Sequence, residues 1–93
     1  MPDNFYGTGR RKSSVARVTI TEGNGKFTFN GKDLEQYFPS PSMKMTIEKP
    51  FKVVSLEGKF DMVVNVNGSG LSAQSDAVAL GISRALIKMD PEL

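Results

Sequence analysis

Cysteine and histidine are both absent from these 93 residues. The first absence excludes disulfides and thiolate metal sites. The second removes the commonest metal ligand and the side chain best matched to proton transfer at neutral pH. No run approaches the roughly 18 apolar residues of a membrane span. Asp3 and Asn4 stand where a signal peptide would need a charged-then-apolar start. A cytosolic protein, or one of an organelle matrix, fits these absences. The carboxylates Asp33, Glu35, Glu48, Glu57, Asp61 and Asp76 form no catalytic pair and read as solvated or capping groups. The composition therefore points away from an enzyme, and toward no metal and no cofactor.

What is present is unevenly placed. The length suits one domain spanning residues 1–93, small enough to be only marginally stable alone. The hydrophobic share of 39% is low for an independent globule but not low enough for disorder. Net charge is only +2. Yet residues 1–20 carry Arg10, Arg11, Lys12 and Arg17 against Asp3, a net of +3, and the rest sums to −1. The basic character is one local patch, not a global field.

Residues 1–4 read as a loose end. From Ser14 to Thr21 the pattern alternates, with Ala16, Val18 and Ile20 on the core face of a strand. Asn24-Gly25 is a strong hairpin signal, and Lys26 to Phe29 then alternates back with Phe27 and Phe29 inward. Asn30-Gly31 turns the chain again. Asp33 is placed to cap a short helix with Gln36 as its box partner; Leu34, Tyr37 and Phe38 form the apolar side, and Pro39 ends it. Ser40-Pro41 is a helix entry. Met43, Ile47, Phe51 and Val54 recur at helical spacing, but Pro50 predicts a break into two pieces between residues 41 and 56. Phe60 to Val66 reads as a strand with Phe60, Met62, Val64 and Val66 on one face. The longest helix is expected over Ala73 to Met89, capped by Ser72. Its stripe is Leu71, Val78, Ile82, Ala85, Leu86 and Met89. Leu80 and Ile87, on nearly the opposite side, call for further covering material, either another chain or protein beyond Leu93. Gly81 in mid-helix should cost about 1 kcal/mol against alanine, so close packing on the sheet is its natural reason.

Two motifs carry the functional argument. In the first, Gly7 and Gly9 would let backbone approach a phosphate. Arg10, Arg11 and Arg17 bind phosphates bidentately, Lys12 adds a point charge, and the hydroxyls of Ser13 and Ser14 can donate. The competing reading is a solvated basic loop at a strand edge. Phe5 and Tyr6 beside it suit core packing better than base stacking. In the second motif, the turn Gly68-Ser69-Gly70 leads through Ser72 to Gln74 and a helix N-terminus, an arrangement that offers backbone N–H groups to an anion. A tight strand-to-helix connection needs the same glycines, and both readings stand on chemistry alone.

Three segments together resemble the family of the bacterial-type ninth protein of the small ribosomal subunit. Tyr6-Gly-Thr-Gly-Arg-Arg-Lys-Ser-Ser-Val-Ala-Arg-Val18 is similar to its N-terminal signature. Leu34-Glu-Gln-Tyr-Phe38 looks like its first short helix, and Gly68 to Leu86 resembles its main signature of a glycine turn, a glutamine and an alanine-rich helix. The likeness covers residues 5–93 in order and spacing, with Ser69 and Ala73 where the family usually has glycine. It implies an α+β fold: a two-layer sandwich with a roughly four-stranded sheet and helices on one face. That fold is like the second domain of the small subunit's fifth protein, left-handed crossover included. It also implies a structural constituent of the small-subunit head, supporting translation near the peptidyl-site tRNA. Small-subunit rRNA would be bound by Gly7, Gly9, Arg10, Arg11, Lys12, Ser13, Ser14, Arg17, Gly68, Gly70, Ser72 and Gln74, with neighbouring head proteins as further partners. The family continues into a long, very basic tail that reaches toward the anticodon arm of that tRNA. This chain stops at Leu93, so tRNA contact falls to no residue here. The alternative is a small nucleotide- or phosphate-binding module of the same fold, since Gly68-Ser-Gly-Leu-Ser-Ala echoes the phosphate turn of small-molecule kinases.

Overall fold

The computed structural model describes residues 4–68 and 70–93. Five strands and three helices follow in the order β1 (Asn4–Arg11), β2 (Ser14–Glu22), β3 (Phe27–Phe29), β4 (Lys32–Asp33), α1 (Leu34–Tyr37), α2 (Pro41–Val53), β5 (Phe60–Asn67) and α3 (Leu71–Met89). The sheet runs β1-β2-β5-β3-β4. β5 is antiparallel to β2 and parallel to β3, so the sheet is mixed. The α+β class and the packing of helices on a sheet are as the sequence implies. The strand count is five where the resemblance implied about four; the residue pattern had marked β2, β3 and β5, and gave no strand signal for the glycine-broken β1 or the two-residue β4.

Period-2 alternation builds the core. Ala16, Val18 and Ile20 of β2 and Met62, Val64 and Val66 of β5 are all buried on one face. Val78, Ile82, Ala85 and Leu86 of α3 cover them, and Ile47 and Phe51 of α2 join from the side. Phe29 and Phe38 meet edge to face at 5.1 Å. Leu80 and Ile87 are 39% and 50% exposed on the outer side of α3, as their helical positions predict.

Gly7 and Gly9 are buried in β1 beneath α3. A Cβ on Gly7 would come within 2.6 Å of the Ala85 amide nitrogen, and one on Gly9 within 2.6 Å of the Gly81 nitrogen. Gly81 is the matching gap in the helix: a Cβ there would sit 2.7 Å from Val18 Cγ2. Three glycines thus let helix and sheet backbones touch, a standard use of glycine in a strand. The stretch read as lying ahead of the first strand is therefore a strand itself.

The turn at Asn24-Gly25 forms, but it does not make a hairpin. β5 lies between β2 and β3, so the two segments flanking the turn are not neighbours. The loop instead crosses the end of β5, where Asp61 Oδ1 accepts from the amides of Asn24 and Lys26, both at 3.0 Å. The true tight turn is Asn30-Gly31, with φ of 52° and 83°. Two consecutive left-handed residues match the right-handed twist of a two-residue hairpin, and Phe29 pairs with Lys32 across it.

Asp33 caps α1 with Gln36 in a reciprocal box. α2 runs unbroken through Pro50. Proline inside a helix costs about 3 kcal/mol. Keeping the helix places Ile47 and Phe51 in the core, each worth about 1.5–3 kcal/mol, and stacks Phe51 on Phe27 at 5.4 Å. Burial wins. Ser72 is not the cap of α3. The helix starts at Leu71 with Gly70 at the cap position, φ 75°, and no side chain caps it.

Candidate nucleic-acid interface

The first motif forms a hairpin whose tip is its cationic end. Arg11 pairs with Ser14, leaving Lys12 and Ser13 as a two-residue loop. Lys12 takes a φ of 56°, a region that costs a residue with a Cβ about 1–2 kcal/mol. Arg10, Arg11, Lys12, Ser13 and Arg17 are all exposed. Strand alternation divides the cations between two faces. Arg11 shares the helix side with Gly7 and Gly9 and stands 3.7 Å from Asp76 of α3, an exposed pair of small energetic weight. Arg10 and Arg17 project from the opposite, open face as diagonal cross-strand neighbours, about 7–8 Å apart.

The second motif is brought against the first. A Cβ on Gly68 would lie 2.7 Å from the Ser13 carbonyl and 2.8 Å from Ser14 Oγ. Only a glycine, here at φ 120°, lets the turn settle on the hairpin. Ser14 is fully buried beneath it. Gly70 and Ser72 are exposed; the Ser72 carbonyl accepts from Ser75 Oγ at 2.7 Å. Ser69 of the same turn lies outside the described residues.

Gln74 is 7% exposed and its amide is committed within the fold. Nε2 donates to the Gly68 carbonyl at 2.9 Å, and Oε1 accepts from the Tyr37 hydroxyl at 2.8 Å. Tyr37 in turn accepts from Asn30 Nδ2 at 3.2 Å. Asn30 also donates to the Val66 carbonyl at 2.7 Å and accepts from the Val66 amide at 2.9 Å, so a side chain continues the pairing of β5 beyond the end of β3. This line of bonds ties the glycine turn to α1 and to the β3–β4 hairpin. Sequence reasoning missed it, because its members lie far apart in the chain.

Three further residues shape the surface. Tyr6, read as core, is 55% exposed on the open face. The signal was present in the parity of β1: with Gly7 and Gly9 inward, Tyr6, Thr8 and Arg10 must point outward. Arg84 of α3 donates to the Thr8 carbonyl at 2.7 Å, satisfying an acceptor on the outermost strand. Asp61 is held below the ordinary aspartate pKa, chiefly by the Lys26 backbone N–H and then by that of Asn24, against a smaller opposing effect of burial. No group of acidic side chains suited to a metal occurs among the described residues, and no helix there is long and apolar enough to cross a membrane.

The model of the ribosomal protein S9/S16 family matches residues 9–93. The chain belongs to that family. It is also similar to the small ribosomal subunit protein uS9 of Maridesulfovibrio salexigens, at 51% identity over 91 residues, which covers 98% of this chain and 70% of that protein. As a member of the S9 family the chain is a structural component of the small ribosomal subunit and not an enzyme. Its setting is the cytoplasmic ribosome, a ribonucleoprotein in which its partners are ribosomal RNA and other ribosomal proteins.

Proposed function

We propose that the chain binds small-subunit ribosomal RNA through the tip of the β1–β2 hairpin and the adjoining glycine turn, as part of the subunit head. Arg10, Arg11, Lys12 and Arg17 neutralise phosphates, and Ser13, Gly70 and Ser72 complete the outer surface. Gly7, Gly9, Gly68, Ser14 and Gln74 act from beneath, holding helix, turn and hairpin together. The observation that carries this reading is Lys12: a cation kept at a left-handed tip position that suits glycine, with arginines on either side of the strand. Strain of this kind is retained where a side chain has work to do.

Recognition is by RNA shape and backbone, because hairpin cations reach phosphates and read no base edge. Neighbouring head proteins are the other contacts of this reading. The peptidyl-site tRNA lies close by in the setting the family resemblance implies, and no residue of these 93 is assigned to it. Replacing Arg10, Arg11 and Lys12 with alanine tests the reading. Binding to small-subunit rRNA should weaken, and the slope of log affinity against log salt should flatten by about two to three, close to one per lost phosphate contact. Unchanged affinity and slope would overturn it.

A further inference from the structure

The face of the sheet turned away from α3 is uncovered, and its composition is not that of a merely solvated face. The register sets its rows. Tyr6, Thr19 and Val63 lie opposite one another across β1, β2 and β5; Thr8, Arg17 and Asn65 form the next row; Arg10 begins the third. Tyr6 and Val63 are 55% and 56% exposed. Exposed large side chains grouped on one face mark contact surfaces more often than scattered ones do. On β1, β2 and β5 no carboxylate stands in these rows; followed on through Thr28 of β3, the Tyr6 row ends at Asp33 of β4, whose carboxylate caps α1. The nearest on those three strands, Asp61, is one row beyond Tyr6, paired across from Thr21, and its Oδ1 is engaged by the Asn24 and Lys26 amides.

An aromatic ring, an exposed valine and two arginines with no negative charge between them fit a polyanion that also carries flat apolar groups. RNA with unstacked bases has that chemistry, and an open sheet with an exposed aromatic is a known way to hold it. The face is continuous with the hairpin tip, because Arg10 belongs to both. We propose that this open face is a platform for an unpaired stretch of RNA: a base stacks on Tyr6 beside Val63, and the backbone runs diagonally past Arg17 to Arg10. Tyr6 and Arg10 are four strand residues apart, about 13 Å. The proposal rests on the rRNA reading above and adds a second mode to it, in which stacking supplements phosphate neutralisation.

The test uses the full chain and a short unstructured oligoribonucleotide. Tyr6→Ala should lower affinity about tenfold or more, the usual weight of one base–aromatic stack, while Tyr6→Phe should retain it. Val63→Glu should also weaken binding by placing a negative charge on the platform. Both positions are exposed, so both variants should stay folded, with a melting temperature lower by about 8 °C at most, and thiouridine-substituted RNA should crosslink to β1 and β5. If Tyr6→Ala and Val63→Glu bind as the parent does, the platform is overturned. In that case, loss of rRNA binding in the triple-alanine variant would leave the hairpin reading intact, and its retention would remove both. If the two variants keep RNA affinity but fail to enter reconstituted small subunits, the face serves a protein neighbour and the proposal is likewise overturned.

Discussion

Lys12 and Gly9 make opposite uses of backbone freedom. At Lys12 the chain tolerates a side chain where φ is 56°. Glycine would relieve about 1–2 kcal/mol of strain there, offset by about 0.5–1 kcal/mol of extra unfolded-state entropy. Lys12→Gly should therefore melt at or slightly above the parent temperature while binding rRNA more weakly, a separation that paired melting and binding curves would reveal. A clear fall in melting temperature would show that the lysine supports the fold and not the ligand. Gly9 has no such latitude. Its would-be Cβ meets the backbone of Ala77 and Gly81, which cannot swing aside as a side chain end would. Gly9→Ala should cost about 1–3 kcal/mol, and each kcal/mol lowers the midpoint by about 4–8 °C in a domain of this size. A thermal melt with no shift would mean that α3 lies less closely on β1.

At the level of the elements, local chemistry was legible and pairing was not. The Asp33–Gln36 box, the two faces of β2 and β5 and the close packing of Gly81 follow from spacing alone. The hairpin expected at Asn24-Gly25 failed because a turn signal says where the chain bends, not which strand comes to lie alongside. The break expected at Pro50 failed because the propensity cost is smaller than the burial of Ile47 and Phe51. The loop that replaces the hairpin depends on a carboxylate. Asp61 has a depressed pKa in the fold, from the N–H groups of Lys26 and Asn24. A depressed folded value gives stability that is present above the unfolded pKa and is lost as pH falls through the folded one. The loss should begin below about pH 4, the ordinary aspartate range. In melts from pH 6 to pH 3, the parent and Asp61→Asn should differ at the upper end and converge at the acid end. A constant difference would mean that hydrogen-bond geometry, not charge, is what the loop needs.

For the molecule as a whole, the basic stretch and the glycine turn were visible as motifs. That they would act together was open to the sequence, but the contact of Gly68 with Ser14 was not, since it depends on β5 lying beside β2. Tyr6 was misplaced for a related reason: with β1 taken as a loop, there was no parity to assign it a face. The strand order β1-β2-β5-β3-β4 also bears on the protein's own synthesis. The strand at the middle of the sheet is the last strand made, and the helix that covers it comes later still. A nascent chain ending at Val54 would have the cationic hairpin in hand but nothing to join β2 to β3. Pairings such as Val18 with Val64 close long loops and are slow to form. The centre of the sheet therefore cannot be completed strand by strand as the chain leaves the machine that translates it. The β2–β5–β3 core cannot close until residues 60–67 have emerged, and its helical cover waits for residues 71–89. In that interval its charge is on offer to RNA before its core exists.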